Sequence, residues 1–340
     1  MPAYDMDALS DVLRAVKLTG AVFFNAECKA PWCLRSPPSE RLRVHIGAAS
    51  SHVIEFHFVT QGRGYIKVGE ESTPLLAGDI VMLPHGDEHL MGNGIATEII
   101  DGEASIPNLN LKGGEIGSSR IGGSGEPTNF ICGFLVCDAR LIQPILAGLP
   151  RALRVHIRAD AAGEWLENIF QNAVSQAVSV SAGSEIVVAR LAEVLFAETL
   201  RRYLLQLPEG RTGWLAGAGD SSVSRVLAAC HRDPARAWTL ETLAEEAGLS
   251  RSALTERFAR YLGQSPIAYL TDWRLELAAE SLRTTNRSVL QIALCVGYDS
   301  EAAFNRAFKR KFGIPPARYR KTARDEMRAR TAPELSRVAS

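Results

Sequence analysis

The sequence predicts an α+β chain of several domains, with a β-rich region first, a helical connector next and an all-α module last. Three observations predict this. From Gly20 to about Val136, short β-branched and aromatic runs alternate with Gly and Pro. From 140 to 206 the apolar residues recur near every 3.6 positions. Between Trp238 and Tyr319 one short module is written twice, at an offset of 49 to 50 residues.

Residues 9–18 (LSDVLRAVKL) read as a short amphipathic helix. Val53–Val59, Gly64–Val68 and Asp79–Leu83 read as strands. Residues 103–129 are rich in Gly, Ser, Asn and Pro and read as a long loop, and 130–136 (FICGFLV) as an apolar strand. Helices are expected over 140–149, 163–179 and 184–206, the last beginning at Ser184-Glu185 with an apolar face of Ala189, Leu191, Val194, Leu195 and Leu200. Residues 207–220 (LPEGRTGWLAGAGD) read as a linker, and the chain is helical from Ser221 to about Arg330.

Bulk properties bound the function. A chain of 340 residues suits two or three domains. Its 46% hydrophobic and 22% charged content is ordinary for soluble globular protein. Met1–Ser10 lacks a basic start and an apolar run, and no apolar stretch reaches about 18 residues, so neither a signal peptide nor a membrane span is expected. A cytoplasmic protein is the expectation. The formal net charge of zero hides an asymmetry: residues 221–340 carry 20 Lys+Arg against 13 Asp+Glu, and residues 1–220 carry 18 against 25. A basic last third suits a polyanionic partner. The six cysteines form no C-x-x-C pair, which argues against a zinc finger.

The repeat carries the output. The first copy has Ala244, Gly248-Leu249-Ser250 and Gly263-x-x-Pro266-x-x-Tyr269; the second has Ala293, Gly297-Tyr298-Asp299-Ser300 and Gly313-x-x-Pro316-x-x-Tyr319. Two helix-turn-helix units explain it. Gly248 and Gly297 suit the positive-φ turn, Ala244 and Ala293 a close helix crossing, and Ser250 and Ser300 the N-caps of the recognition helices. Leu254 with Phe258, and Phe304 with Phe308, are (i, i+4) pairs for the buried backs of those helices. By elimination the DNA-facing positions are Arg251, Ser252, Thr255 and Glu256 on the first, and Glu301, Ala302, Asn305 and Arg306 on the second. Arg suits guanine, Asn adenine and Glu cytosine. Lys309, with Arg310, Lys311, Arg318, Arg320 and Lys321, suits phosphate or solvent.

Upstream, Gly78-x5-Pro84-x-Gly86-x2-His89-x3-Asn93 matches the second cupin motif, and Glu55-x6-Gly62 the end of the first. The His-x-His expected before that Glu falls on Ala48/Ser50 or Ala49/Ser51, so two customary metal ligands are missing. His57 lies two residues from Glu55, on the same strand face. His57, His89 and Cys132 form a candidate three-ligand site for zinc or another divalent metal. The alternative is an organic effector pocket lined by Trp32, Glu55, His57, His89 and Cys132. Trp32 can stack on a planar effector or belong to the core. Cys28 and Cys33, with Cys132 and Cys137, raise a redox switch, which needs an accessible low-pKa thiol. Cys230 and Cys295 read as core.

On these residues, 238–321 resembles the AraC/XylS DNA-binding domain. The second unit carries the signature through Ile292-Ala293, Val296-Gly297-Tyr298, Phe304, Arg306, Phe308-Lys309, Phe312-Gly313, Pro316 and Tyr319-Arg320. Glu256 departs from the family's frequent Arg. Residues 9–155 resemble the cupin-type sensor that precedes such domains in one regulator group. The matching stretches are Ala30-Pro31-Trp32-Cys33, Phe56-His57, Ala77-Gly78-Asp79 through His89, and Cys132-Gly133-Phe134. The resemblance implies a cupin-like effector domain at 1–155, a helical, possibly dimerising connector at 156–207, a linker at 208–220, a tandem helix-turn-helix domain at 221–325 and a mobile tail at 326–340. It implies a rigid helix near Ile267–Leu282 joining the two units. It implies a ligand-responsive regulator of promoter DNA that is a homodimer, binds a small-molecule effector and works with RNA polymerase. The alternatives are a metal- or redox-responsive regulator and, third, a cupin enzyme fused to a DNA-binding domain.

Overall fold

The computed structural model describes residues 8–16, 18–46, 51–95, 98–105, 117–178, 183–208 and 210–335. The chain divides into two compact units: Val16–Gly210, and Arg211–Ser340 together with Met1–Ala15. The first helix, α1 (Ala8–Val16), therefore clusters up to Ala15 with the C-terminal unit rather than with the strands that follow it. The cause is local: Ala8, Leu9 and Val12 are buried, and Asp11 pairs with Arg232 at 3.4 Å.

The Val16–Gly210 unit is built from two sheets. Its elements are β1 (Thr19–Lys29), β2 (Trp32–Ser36), α2 (Ser39–His45), β3 (His52–Gln61), β4 (Arg63–Val68), β5 (Glu71–Leu76), β6 (Asp79–Leu83), β7 (His89–Asn93), β8 (Ile100–Asp101), α3 (Gly102–Ser105), β9 (Gly117–Gly122), β10 (Pro127–Cys137), α4 (Ala139–Leu146), β11 (Leu153–His156), α5 (Ala161–Val178) and α6 (Ser184–Leu205). One sheet runs β11-β6-β3-β10-β1-β9 and the other β5-β4-β7-β2-β8. The expected loop over 103–129 instead contributes β9 and the start of β10, while 106–116 lie outside the described residues. So do Ala48, Ala49 and Ser50, where the missing His-x-His would fall.

Strand β3 is buried from Val53 to Val59 because both of its faces are covered. Successive side chains point to opposite faces. Phe56 and Phe58 meet Phe170 of α5, with ring centroids 6.3 and 6.1 Å apart. Glu55, His57 and Val59 alternate with them and face the barrel interior, where Val59 joins Trp32, Val81, Leu83, Phe130 and Cys132 in one apolar cluster. Helices α5 and α6 pack on this sheet. Arg158, in the turn before α5, clamps Glu167 through two contacts of 2.6 Å and donates to the Thr60 carbonyl.

The C-terminal unit is all-α: α7 (Trp214–Gly219), α8 (Ser221–Arg232), α9 (Leu240–Ala247), α10 (Arg251–Leu262), α11 (Pro266–Thr284), α12 (Val289–Cys295), α13 (Glu301–Phe312) and α14 (Pro316–Leu335). The expected linker 207–220 thus holds α7, and Trp214 explains why: it is buried and donates to the Tyr269 hydroxyl at 2.8 Å. Helix α14 continues to Leu335, through much of the stretch expected to be a mobile tail. Cys230 is buried as expected, but Cys295 is exposed at the end of α12. Ile292 and Ala293 take the inner face of that short helix, leaving Leu294 and Cys295 outside.

Candidate functional site

Two sites emerge, one in each unit. In the barrel, β3 carries Glu55 and His57, and β10 pairs with it so that Cys132 lies opposite His57. On the other sheet, β2 pairs with β7 so that Ser36 lies opposite His89. Closing the two sheets over one interior brings these five positions together. Glu55, His57, His89 and Cys132 are each no more than 2% exposed.

The hydrogen bonds fix the arrangement. Ser36 Oγ donates to Glu55 Oε2 at 2.9 Å, while Glu55 Oε1 and Trp32 Nε1 have no partner among the described residues. His57 Nδ1 lies 2.8 Å from Cys132 Sγ, and His57 Nε2 lies 2.7 Å from His89 Nε2. His89 Nδ1 lies 3.0 Å from the Asp87 carbonyl oxygen. Because that oxygen only accepts, His89 carries its proton on Nδ1 and turns a lone pair toward His57.

Burial sets the charge states. It pushes the Glu55 carboxyl up to about 8, against the opposing pull of the Ser36 hydrogen bond. It lowers His89 to about 4 and His57 well below the usual histidine range, with His89 adding to the effect on His57. It raises the Cys132 thiol well above the usual range, with Glu55 and Cys28 adding to it. In the bare protein all four groups are neutral near pH 7.

The candidate residues do not assemble as the sequence suggests. The ligand atoms that converge, within 4.8 Å of one another, are those of Glu55, His57 and His89. Cys132 instead occupies the Nδ1 side of His57, the side turned away from His89. One imidazole ring does not present both nitrogens to one ion, so Glu55 replaces Cys132 in the converging set. Trp32 is buried and stacked on Phe130 at 5.4 Å, so that ring face packs in the core. Cys28, Cys33 and Cys137 are buried as well, and burial raises Cys28 and Cys137 to about 12. The redox alternative therefore lacks the accessible low-pKa thiol it needs at Cys28. His85 serves as a loop residue against the Leu149 carbonyl.

In the C-terminal unit, α9–α10 and α12–α13 are the two helix-turn-helix units. Thr239 and Ser288 start α9 and α12 with capping boxes, and Ser250 and Ser300 accept from the backbone N–H three residues on, each at 3.2 Å. The turn glycines Gly248 and Gly297 have φ of 66° and 83°. At Gly297 a Cβ would also lie 2.7 Å from the Ala235 carbonyl oxygen. Leu254, Phe258, Phe304 and Phe308 are fully buried, as their spacing predicts.

Helix α11 ties the two units together. Arg274 donates to the Pro234 and Arg236 carbonyls at 2.6 and 2.7 Å, and Lys311 of α13 bridges Asp272 and Glu276 at 2.8 and 3.2 Å. Arg251, Ser252, Glu256, Glu301, Ala302, Arg306 and Lys309 are exposed, and Thr255 and Asn305 are half-buried. A surface groove is lined by Leu240, Ser250, Arg251, Ser252, Thr255 and Glu256. Arg251 is held there by Glu241 at 2.6 Å, and Thr255 donates to the Arg251 carbonyl. Neither Glu241 nor Ser36 stands out in the sequence, since each acts through a spatial neighbour.

A tandem helix-turn-helix unit in a chain that also carries a small β-barrel defines a DNA-binding transcription regulator. Comparisons with known proteins agree. A family model described as a cupin matches residues 7–205, and one described as a helix-turn-helix domain matches 243–322. An AraC-like transcription regulator of Streptomyces lividans is 33% identical over 319 residues, covering 93% of this chain and 98% of that one. The regulator AlkR of Acinetobacter baylyi is 30% identical over 93% of this chain and 99% of its own, and an AraC-like regulator of Streptomyces antibioticus is 32% identical over the same shares. The chain belongs to the AraC-like transcription regulators that carry a cupin domain ahead of the helix-turn-helix domain. No helix among the described residues is long and apolar enough to cross a membrane.

Proposed function

We infer that this is a ligand-responsive, sequence-specific regulator whose small-molecule effector binds inside the barrel beside Glu55, His57 and His89. The observation that carries the reading is the unpartnered Glu55 Oε1, with Trp32 Nε1 as a second buried polar atom lacking a partner. Each such atom costs about 1–3 kcal/mol if nothing pairs with it. A ligand that accepts from one and donates to the other removes that cost, so occupancy is coupled to the stability of the barrel.

DNA is read by α10 through Arg251, Ser252, Thr255 and Glu256, and by α13 through Glu301, Ala302, Asn305 and Arg306, with Lys309 on phosphate. The protein works in the cytoplasm as a homodimer that meets promoter DNA and RNA polymerase. Exposed Ile186, Val187 and Val194 on α6 support a dimer contact there.

The test is selection of duplexes from a random pool by the purified full chain. Enrichment of two sequence blocks about one helical turn apart supports two reading helices. Enrichment of a single block that survives Arg306→Ala would overturn the paired reading.

A further inference from the structure

Resting on the reading of the barrel as the sensing site, we propose that Glu55 Oε1, His57 Nε2 and His89 Nε2 together hold a first-row divalent transition-metal ion. Three features of the site point to it. Glu55 and His57 are two residues apart on β3, and His89 opens β7 on the opposing sheet, so the three ligands come from both walls of the barrel. Their atoms lie within 4.8 Å of one another and are excluded from solvent. Each imidazole also has its Nδ1 held, His89 by the Asp87 carbonyl and His57 by Cys132 Sγ. That outer support is what metal-binding histidines need to keep the other nitrogen aimed at the ion.

The bare protein does not satisfy every group. A relay from the Cys132 thiol to His57 Nδ1, and from His57 Nε2–H to His89 Nε2, pairs both rings. It still leaves Glu55 Oε1 buried and unpaired. With a cation in the cluster, Glu55 releases its proton to solvent, His57 donates from Nδ1 to sulfur, both Nε2 lone pairs face the ion, and the carboxylate gains its missing partner. The donor set decides the class. One carboxylate and two imidazoles suit Zn²⁺, Fe²⁺, Co²⁺ or Ni²⁺ and not the all-oxygen Ca²⁺ or Mg²⁺. Three protein ligands leave a coordination position for water or for a donor atom of the effector. His57 thereby substitutes, from beyond Glu55, for the His-x-His absent before it.

The experiment uses the untagged full chain, stripped by chelator and then titrated with Zn²⁺ and Co²⁺. Bound ion is read by elemental analysis and calorimetry, and the Co²⁺ site by its visible spectrum. One ion per chain is expected, with a rise in the melting temperature of the barrel. Glu55→Gln and His57→Asn should abolish stoichiometric binding, while Cys132→Ser should retain it with affinity weakened by about 10–100-fold. His85→Ala, outside the cluster, should leave it unchanged. Circular dichroism of each variant separates a lost ligand from a lost fold. No binding to the wild type, or full binding by folded Glu55→Gln, overturns the proposal. The sensing reading is scored separately, by the DNA affinity of the stripped wild type with and without a small-molecule extract of host cells. A response there with no metal bound sinks the metal and spares the sensor; metal bound with no response does the opposite.

Discussion

His57 and His89 face each other Nε2 to Nε2 at 2.7 Å, although they lie 32 residues apart and on different sheets. That contact marks the closure of the barrel, because β3 and β7 share no ladder. It also places the most polar part of the interior between apolar layers, with Val81 and Cys132 beside His57 and Leu83 beside Glu55. A buried polar cluster of this kind is stable only when its members are satisfied, and Glu55 is not. The helix-turn-helix units lie in the other compact unit, where Tyr269 packs against Phe258 of α10 with ring centroids 5.7 Å apart.

The C-terminal unit should lose stability in acid through His231. Burial lowers this histidine to about 3, and its Nε2 lies 2.7 Å from the Tyr269 hydroxyl. The unfolded chain then binds the proton more readily than the folded one between about pH 6.5 and 3. The contribution is full above pH 6.5 and is lost as pH falls through that window, by roughly 2–3 kcal/mol between pH 7 and 4.5. Thermal unfolding across this range should show the slope, and His231→Gln should flatten it. An equally steep slope in that variant would assign the effect to other groups.

The two αL glycines Gly297 and Gly263 should differ in what they tolerate. Gly263 has φ of 69° and open space around it, so Gly263→Ala should cost about 1 kcal/mol from backbone conformation alone. Gly297 adds a clash with Ala235 and with Arg274 Nη2, so Gly297→Ala should cost clearly more. Denaturant titration of the two variants compares them. Equal losses would mean that the packing of the second turn against residues 234–236 is unimportant.

On DNA, Arg306→Ala should cost about 1–3 kcal/mol and relax preference at one base position. Competition binding against duplexes varied one base at a time checks this. Uniform weakening on every duplex would place Arg306 on phosphate. Glu241→Gln should change preference at the block read by α10 and not at the other, since Glu241 pairs with Arg251 at the start of that helix.

Much of this was legible in the sequence because it is written locally. The repeat's Gly, Ser and Pro placements located both helix-turn-helix units, and alternation along Val53–Val59 put Glu55 and His57 on one face. What escaped depends on pairing between distant segments. No local signal says that Ser36 lies opposite His89, that Cys132 takes the outer nitrogen of His57, or that Trp214 docks on Tyr269 and makes a helix of a Gly-rich linker. The burial of both faces of β3 was likewise invisible, since the covering Phe170 lies more than a hundred residues away.

The most direct test of the central claim compares full-length wild type with folded Glu55→Gln on one selected duplex, each titrated with the same small-molecule extract of host cells. The account predicts that the extract shifts the DNA dissociation constant of the wild type and leaves that of Glu55→Gln unmoved, with both binding the duplex equally in its absence. An equal shift in the two proteins would contradict it, because the signal would then enter somewhere other than the barrel.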